Sequence, residues 1–170
     1  MKTLYLLRHA KSSWDDPSLA DFDRPLSRRG RKAAQAMDQL LGRHGWRPDL
    51  VLCSSARRTR ETFAALPSLA GADVVFERGL YEAGHEPLLD RLRALPAAAG
   101  SAMVIGHNPG LERLTWLLVG HGAEGPAHAA LRRKFPTAAM AVLECAAEHW
   151  AQLAPESCRL IDFIRPGDVD

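Results

Sequence analysis

The sequence lacks the features that would place it outside ordinary globular proteins. No apolar stretch approaches the roughly 20 residues that a membrane-spanning helix needs. The apolar run over residues 3–7 stops at Arg8, which is too short for a signal-peptide core, and no small-residue cleavage site follows it. The chain has no internal repeat, low-complexity segment or domain linker. We therefore expect residues 1–170 to form one domain with no membrane partner.

Cysteine is scarce, and the net charge is small. The three cysteines, Cys53, Cys145 and Cys158, are scattered, odd in number and without CxxC spacing. We expect no disulfide framework, and hence a reduced, cytoplasmic compartment. A formal net charge of only +2 does not indicate a nucleic-acid partner. The basic stretches "SRRGRK" and "LRRKF" are interpreted as solvated faces, since polyanion binding would require them to form one patch.

Strand-like and helix-like patterns alternate along most of the chain. Ser27 can cap a helix that ends at Gly45, with apolar residues between them at helical spacing. Four stretches predict strands: "TLYLLR", "PDLVLCSS", "ADVVFE" and "SAMVIGHN". Three others predict helices: "RRTRETFAAL", "HEPLLDRLRAL" and "PGLERLTWLLVG". This alternation predicts a layered α/β fold with a largely parallel sheet.

The pattern changes towards the C-terminus. Residues 120–135 predict a loop that contains a short helical piece. After it, "PTAAMAVLEC", "HWAQLA" and "CRLIDFIRP" predict closely spaced strands. We therefore expect the sheet to gain antiparallel pairing at this end of the chain.

Polar side chains follow three of the predicted strands. These are Arg8 and His9 after the first, Ser54 and Ser55 with Arg57 and Arg58 after the second, and His107 and Asn108 after the fourth. Each group alone has an ordinary explanation: a solvated strand end, a basic helix start, or a turn capped by an asparagine. Because parallel strands end at the same edge of a sheet, we expect the three groups to converge there.

A convergent set of two histidines and two arginines suits phosphoryl chemistry. Guanidinium groups match a dianionic phosphoryl group, and the helix that begins near Ala56 adds backbone N–H donors. A neutral imidazole can attack phosphorus while the arginines neutralise the phosphoryl oxygens. Metal binding fits poorly, because the arginines would repel a cation and no carboxylate-rich cluster accompanies the histidines. We expect neither a metal nor a cofactor.

Several ordered motifs, spread over almost the whole chain, resemble the histidine phosphatase superfamily. The motifs are "LYLLRHAKSSW", "DFDRPLSRRG", "CSSARRTRET", "LYEAG", "VIGHNPGLE", "FPTAAMAVLE" and "IDFIRP". Within this superfamily, which includes cofactor-dependent phosphoglycerate mutases and acid phosphatases, the chain is most similar to the small SixA-type phosphohistidine phosphatases. The resemblance implies a phosphoglycerate mutase-like, three-layer α/β/α sandwich with a mostly parallel mixed sheet and no sizeable lid insertion.

The resemblance also assigns roles to individual residues. His9 would be the nucleophile that becomes phosphorylated, Arg8 a phosphate ligand, and Ser12 a hydroxyl that touches the phosphate. Ala10 stands where the family commonly has glycine, and Lys11 where mutase-like members have glutamate, which favours the SixA type.

The second family arginine corresponds to Arg58, which lies four residues after the first serine of its motif. Neighbouring helical residues point about 100° apart, so we expect Arg57 to be the solvated neighbour. His107 matches the second family histidine, a donor to the phosphoryl oxygens.

The assignment of a general acid is more open. Glu82 falls near the position where the mutase branch has a glutamate that protonates the leaving oxygen. It is either that acid or a surface carboxylate, since some SixA-type proteins lack this group. The pKa of His9 is open as well, because a nearby carboxylate and two arginines would shift it in opposite directions.

The resemblance implies a metal-independent phosphatase that works through a phosphohistidine on His9. Short connections leave no room for a lid, so an open site could admit a protein phosphohistidine, such as one on a histidine-phosphotransfer domain. One alternative is a broad-specificity small-molecule phosphomonoesterase, or a mutase, which an open site disfavours. Another is a non-catalytic phosphate-binding module, against which the intact Arg8, His9, Arg58 and His107 weigh.

Overall fold

A computed structural model describes residues 1–168, and these contain one six-stranded mixed sheet. The strands are β1 (Lys2–Arg8), β2 (Leu50–Ser54), β3 (Asp73–Glu77), β4 (Ser101–Gly106), β5 (Met140–Cys145) and β6 (Cys158–Ile164). The helices are α1 (Arg28–His44), α2 (Arg57–Ala64), α3 (His85–Arg93), α4 (Gly110–Val119) and α5 (Pro126–Arg133). The predicted alternation of strands and helices is confirmed, as is the short helix within residues 120–135.

The sheet order is β3-β2-β4-β1-β5-β6, which places β1 between a parallel and an antiparallel neighbour. Strands β1 to β4 run parallel, whereas β5 and β6 pair antiparallel, as the sequence predicted. Arg8 is in register with Gly106, so the residues that follow β1 and β4 leave the sheet at the same edge.

Two hydrophobic cores cover the two faces of the sheet. Along β1, Leu4 and Leu6 pack into the core that contains α3, α4 and α5. The alternate residues, Tyr5 and Leu7, pack into the core that contains α1. Because successive side chains of a strand point to opposite faces, the apolar run of β1 supplies both cores at once. The fold is therefore the expected three-layer α/β/α sandwich, without a large insertion.

Helix α1 begins and ends where its sequence predicts. The Ser27 side chain accepts a hydrogen bond from the Gly30 backbone N–H at 3.0 Å, which caps the first turn. Gly45 ends the helix with a φ of 66°, a conformation that glycine adopts without steric cost. A Cβ on Gly30 would lie 2.0 Å from the Lys11 carbonyl oxygen, so α1 packs directly on the segment after β1.

Two expectations from the sequence are wrong. "HWAQLA" is not a strand, because Trp150–Gln152 form a 3-10 turn in which the buried Trp150 indole donates to the Ala99 carbonyl at 2.8 Å. The stretch "ADVVFE" forms the predicted strand, β3, which lies at an edge of the sheet and exposes Val75 and Phe76.

The second correction concerns the cysteines. Cys145 and Cys158 are opposite each other on β5 and β6 and form a disulfide, while Cys53 is free and buried. Cross-strand register brings the two cysteines together, and nothing in their sequence spacing indicates the disulfide.

In the described residues no helix has the length and apolar character needed to cross a bilayer.

Candidate active site

One cavity of about 300 Å³ brings together Arg8, His9, Arg58, His107 and Asn108 from the predicted strand ends, whereas Ser54, Ser55 and Arg57 do not line it. Arg8 ends β1 and His9 follows it, Arg58 lies in the first turn of α2, and His107 follows β4. All four line this cavity. It is also lined by Lys11, Ser12, Trp14, Arg24, Glu82, Asn108 and Thr137.

His9 is held as a neutral imidazole with one free nitrogen. Its Nδ1 lies 2.7 Å from the Ala10 carbonyl oxygen, which can only accept, so Nδ1 carries the proton. The ring is 8% exposed, and this burial lowers the pKa of His9 to about 4. This value also includes the bond to Ala10, which raises the pKa, and the charges of Arg58 and Arg8, which lower it. The lone pair therefore lies on Nε2, and the question left open by the sequence is answered in favour of the neutral ring.

His107 is buried next to His9, with the two ring centres 5.3 Å apart. Burial, together with the neighbouring His9 and Arg58, lowers the pKa of His107 to about 3. Its Nε2 lies 2.8 Å from the Ser54 hydroxyl oxygen, and its Nδ1 lies 3.5 Å from Oε1 of Glu82. At neutral pH both histidines are therefore uncharged, and the positive charge of the cavity comes from its arginines and lysine.

The two adjacent arginines of α2 point in different directions. Arg58 is 4% exposed and donates to Glu82 Oε1 at 2.9 Å. The Arg57 side chain is 45% exposed and pairs with Glu61 at 2.7 Å, outside the cavity. Their placement is the one expected from helix geometry.

Glu82 and Ser12 also lie where the motifs place them. Glu82 has a φ of 53°, an uncommon conformation for a residue with a side chain, and its half-exposed carboxylate reaches the cavity. The Ser12 hydroxyl accepts a hydrogen bond from Arg24 Nη2.

Two residues of the site were not singled out in the sequence. Arg24 is buried and lines the cavity, and its Nη1 donates to Asp21 Oδ1 at 2.9 Å. Asp21 also accepts from Arg58 Nη2 at 3.0 Å and from the Tyr81 hydroxyl. The Tyr81 hydrogen bond, with help from Arg24 and Arg58, lowers the pKa of Asp21 to about 2. Both residues belong to "DFDRP", a quoted motif whose polar residues could have been given roles.

Arg8 keeps part of its guanidinium unengaged. Its Nη1 donates to the Phe135 carbonyl at 2.9 Å, which also accepts from Asn108 at 3.0 Å. Its buried Nε has no hydrogen-bond partner within residues 1–168. A buried donor without a partner is unfavourable, so Arg8 keeps hydrogen-bonding capacity that no described residue uses. In the same described part of the chain, no three His, Cys, Asp or Glu side chains are grouped as metal ligands.

Comparison with known proteins identifies the family. The model of the histidine phosphatase superfamily, branch 1, matches residues 4–90. The chain belongs to this superfamily. An uncharacterised protein of Mycobacterium leprae is 32% identical over 163 residues, covering 94% of this chain and 99% of that protein. An uncharacterised chloroplastic protein of Arabidopsis thaliana is 39% identical over 131 residues, but this match spans only 60% of its length and 70% of this chain.

Solved structures place this histidine phosphatase with the SixA type. A protein of Nakamurella multipartitia, provisionally assigned as the phosphohistidine phosphatase SixA, is 35% identical with a TM-score of 0.85, covering 97% of this chain and 96% of that one. Its counterpart from Agrobacterium tumefaciens, assigned in the same way, is 37% identical with a TM-score of 0.82, covering 97% and 98%. The protein histidine phosphatase SixA complexed with tungstate, at 20% identity and a TM-score of 0.76, shares the fold, with 99% of each chain covered. Family membership and these neighbours support a phosphatase activity.

Proposed function

We propose that this histidine phosphatase hydrolyses phosphorylated substrates through a covalent phosphohistidine on His9. The observation that carries the proposal is the state of His9: Nδ1 is fixed on the Ala10 carbonyl, and the neutral ring leaves a lone pair on Nε2. This nitrogen belongs to a cavity lined by three guanidinium groups, those of Arg8, Arg24 and Arg58. Phosphoryl transfer requires a neutral nucleophile beside a group of cationic side chains that can bind the phosphoryl oxygens.

In the first step, the lone pair of His9 Nε2 forms a bond to phosphorus, and the bond to the leaving group breaks. Nδ1 keeps its proton, so the ring becomes a phosphorylated imidazolium whose charge the Ala10 carbonyl stabilises. Arg8 and Arg58 neutralise the phosphoryl oxygens as the phosphoryl group moves, and Ser12 contacts it. His107 donates from Nδ1 to a phosphoryl oxygen, with its Nε2 turned to the Ser54 hydroxyl.

Glu82 is the proposed general acid and base. Its carboxylate pairs with Arg58, and a bound dianion would compete for that guanidinium. Glu82 is placed to give a proton to the departing group. In the second step Glu82 takes a proton from water, the water oxygen bonds to phosphorus, and the bond from phosphorus to Nε2 breaks. Phosphate leaves, and His9 returns to its neutral form.

The proposed substrate is a protein phosphohistidine, such as one on a histidine-phosphotransfer domain. The absence of a large insertion near the cavity supports this, since an open site can accept a phosphorylated side chain on a protein surface. A small phosphomonoester is the second candidate, because a small polar cavity fits the phosphoryl group of either compound.

We also propose that the reaction needs no metal, since cationic side chains supply the charge neutralisation. The Cys145–Cys158 disulfide removes the ground on which a cytoplasmic location was expected, so that location stays a prediction, as does the single-domain organisation.

The test uses wild-type protein, His9→Ala and His121→Ala, with a metal chelator present throughout. The substrates are a phosphohistidine peptide and p-nitrophenyl phosphate. His121 is an exposed histidine that stacks on Trp116, outside the cavity, and serves as the matched control. We expect wild type and His121→Ala to release phosphate, and the rate of release to fall more than about 1000-fold in His9→Ala. An acid-labile phosphoryl label should be trapped on wild type but not on His9→Ala. Turnover that survives in His9→Ala would contradict the mechanism, and a need for added metal would contradict metal independence.

A further inference from the structure

Trp14 is an unusual residue to find at the edge of a cationic cavity. Its side chain is 75% exposed, the highest exposure among the large apolar residues of the described chain. It nevertheless lines the candidate active site, where most of the other lining residues are charged or polar. Exposing an indole to water is unfavourable, so this surface is suited to contact with a ligand.

One face of the Trp14 ring is already occupied. The Arg24 guanidinium carbon lies 3.2 Å from the ring centre, in a cation–π contact. Arg24 is itself 6% exposed and immobilised, because its Nε donates to the Ser13 carbonyl at 3.0 Å and its Nη1 to Asp21 at 2.9 Å. The buried arginine therefore holds the indole in one orientation and leaves the opposite face free.

The backbone beside Trp14 is fixed as well. The Ser13 N–H donates to the Pro25 carbonyl at 2.8 Å, and Ser12 forms an isolated β-bridge with Leu26. A ring held by both its backbone and its stacking partner loses little conformational entropy when a ligand packs on it. Trp14 is thus a preorganised flat surface beside the anion site.

We propose that the free face of Trp14 stacks on the group that carries the phosphoryl, and so selects substrates in which that group is a planar ring. Once the guanidinium groups hold the phosphoryl, the rest of the substrate must extend towards the cavity mouth. There an imidazole or aryl ring can stack on the indole, whereas a flexible alkyl chain cannot. This inference rests on the proposed function, and it makes a phosphorylated imidazole the preferred substrate class over an alkyl phosphate.

The experiment measures kcat/KM for three substrates in wild type, Trp14→Ala, Trp14→Phe and Phe76→Ala. The substrates are a phosphohistidine peptide, p-nitrophenyl phosphate and a phosphoserine peptide. Phe76 is an exposed aromatic on β3, outside the cavity, and is the matched control. We expect the ratio of kcat/KM for ring-bearing over alkyl substrates to fall about three- to tenfold in Trp14→Ala, the size of an aromatic stacking contribution. Trp14→Phe should restore most of this ratio, and Phe76→Ala should leave it unchanged.

Binding is measured in parallel with phenylphosphonate and methylphosphonate, which are not hydrolysed. Trp14→Ala should lose affinity for phenylphosphonate more than for methylphosphonate, whereas Trp14→Phe should keep most of the wild-type preference and Phe76→Ala all of it. An equal loss with all ligands would overturn the proposal, because Trp14 would then act only by covering Arg24. An unchanged ratio in Trp14→Ala would also overturn it. Wild-type protein that hydrolyses none of the three substrates would contradict the proposed function alone, since the phosphonate affinities still decide the role of Trp14.

Discussion

At the scale of single residues, one carboxylate organises the cationic side of the cavity. Asp21 Oδ1 accepts from Arg24, while Oδ2 accepts from both Arg58 and the Tyr81 hydroxyl. Two guanidinium groups that would otherwise repel each other are thereby fixed towards one anion site. Asp21 is not among the residues that line the cavity, so it acts as a positioning residue.

We expect Asp21→Asn to lower kcat/KM for p-nitrophenyl phosphate by about 10- to 100-fold, because hydrogen bonds to a charged group contribute about 1.5–3 kcal/mol. An amide is neutral and cannot accept from all three donors. The loss should appear mainly as weaker affinity for inorganic phosphate, measured by calorimetry. Asp23→Asn, an exposed acid two residues away, is the control. Similar effects of the two substitutions would contradict a positioning role for Asp21.

The hydrogen-bond network around Asp21 could not be predicted from the rule that places polar residues at strand ends. The convergence of Arg8, His9 and His107 follows from a rule of parallel sheets, since strand ends meet at one edge. Asp21 and Arg24 instead lie in and just after a 3-10 turn in the long connection after β1. Their positions depend on how that connection folds back over the sheet, and no periodic pattern predicts it.

At the scale of elements, α1 contains two glycines, of which one has no room for a side chain and the other has. A Cβ at Gly30 would lie 2.0 Å from the Lys11 carbonyl oxygen, whereas at Gly42 the nearest atom would be 3.8 Å away. Backbone cannot yield as a flexible side chain can, so the approach of α1 to the segment after His9 requires glycine at the first position only.

We expect Gly30→Ala to destabilise the protein by about 2–4 kcal/mol through this clash. Gly42→Ala should instead stabilise it by about 0.5–1 kcal/mol, because alanine is the better helix former. Urea unfolding monitored by circular dichroism would measure both changes. If Gly30→Ala were as stable as Gly42→Ala, the close packing of α1 on Lys11 would be wrong.

Some features of the helices and strands follow from the local sequence, whereas others follow from how the elements pack. The caps of α1 are local, since Ser27 and Gly45 act on their own helix, and the sequence placed them correctly. Whether a strand is buried depends on its neighbours, so the apolar residues of β3 indicated a strand but not its edge position. The prediction of a strand around Trp150 is wrong for a similar reason. The position of Trp150 depends on its hydrogen bond to the Ala99 carbonyl and on packing in the core, neither of which its local sequence shows.

At the scale of the whole molecule, the buried neutral histidines connect the site to stability. The pKa of His9 is lowered to about 4 and that of His107 to about 3, while an unfolded histidine titrates near 6.5. Between pH 6.5 and 4 the unfolded chain therefore binds protons that the folded protein does not. The free energy of unfolding should fall as the pH drops through this window and be at its full value above it.

We expect a loss of about 2 kcal/mol per buried histidine between pH 7 and pH 5, read from urea unfolding. The pKa values of Asp21, Glu61 and Glu77 are lowered below their usual values, so these carboxylates contribute mainly below this range. His9→Asn and His107→Asn should each reduce the difference between the two pH values, whereas the exposed His44→Asn should not. A pH difference unaffected by either buried-site variant would contradict this account.

The position of β1 in the sheet has a consequence for how activity is lost. This strand exchanges backbone hydrogen bonds with β4 on one side and β5 on the other, and its interior residues supply both cores. Fraying of the edge strands β3 and β6 leaves it untouched, so its amide protons should exchange with solvent only when the entire sheet opens. The nucleophile thus sits at the end of the segment that melts last, and inactivation by heat should coincide with cooperative melting rather than precede it.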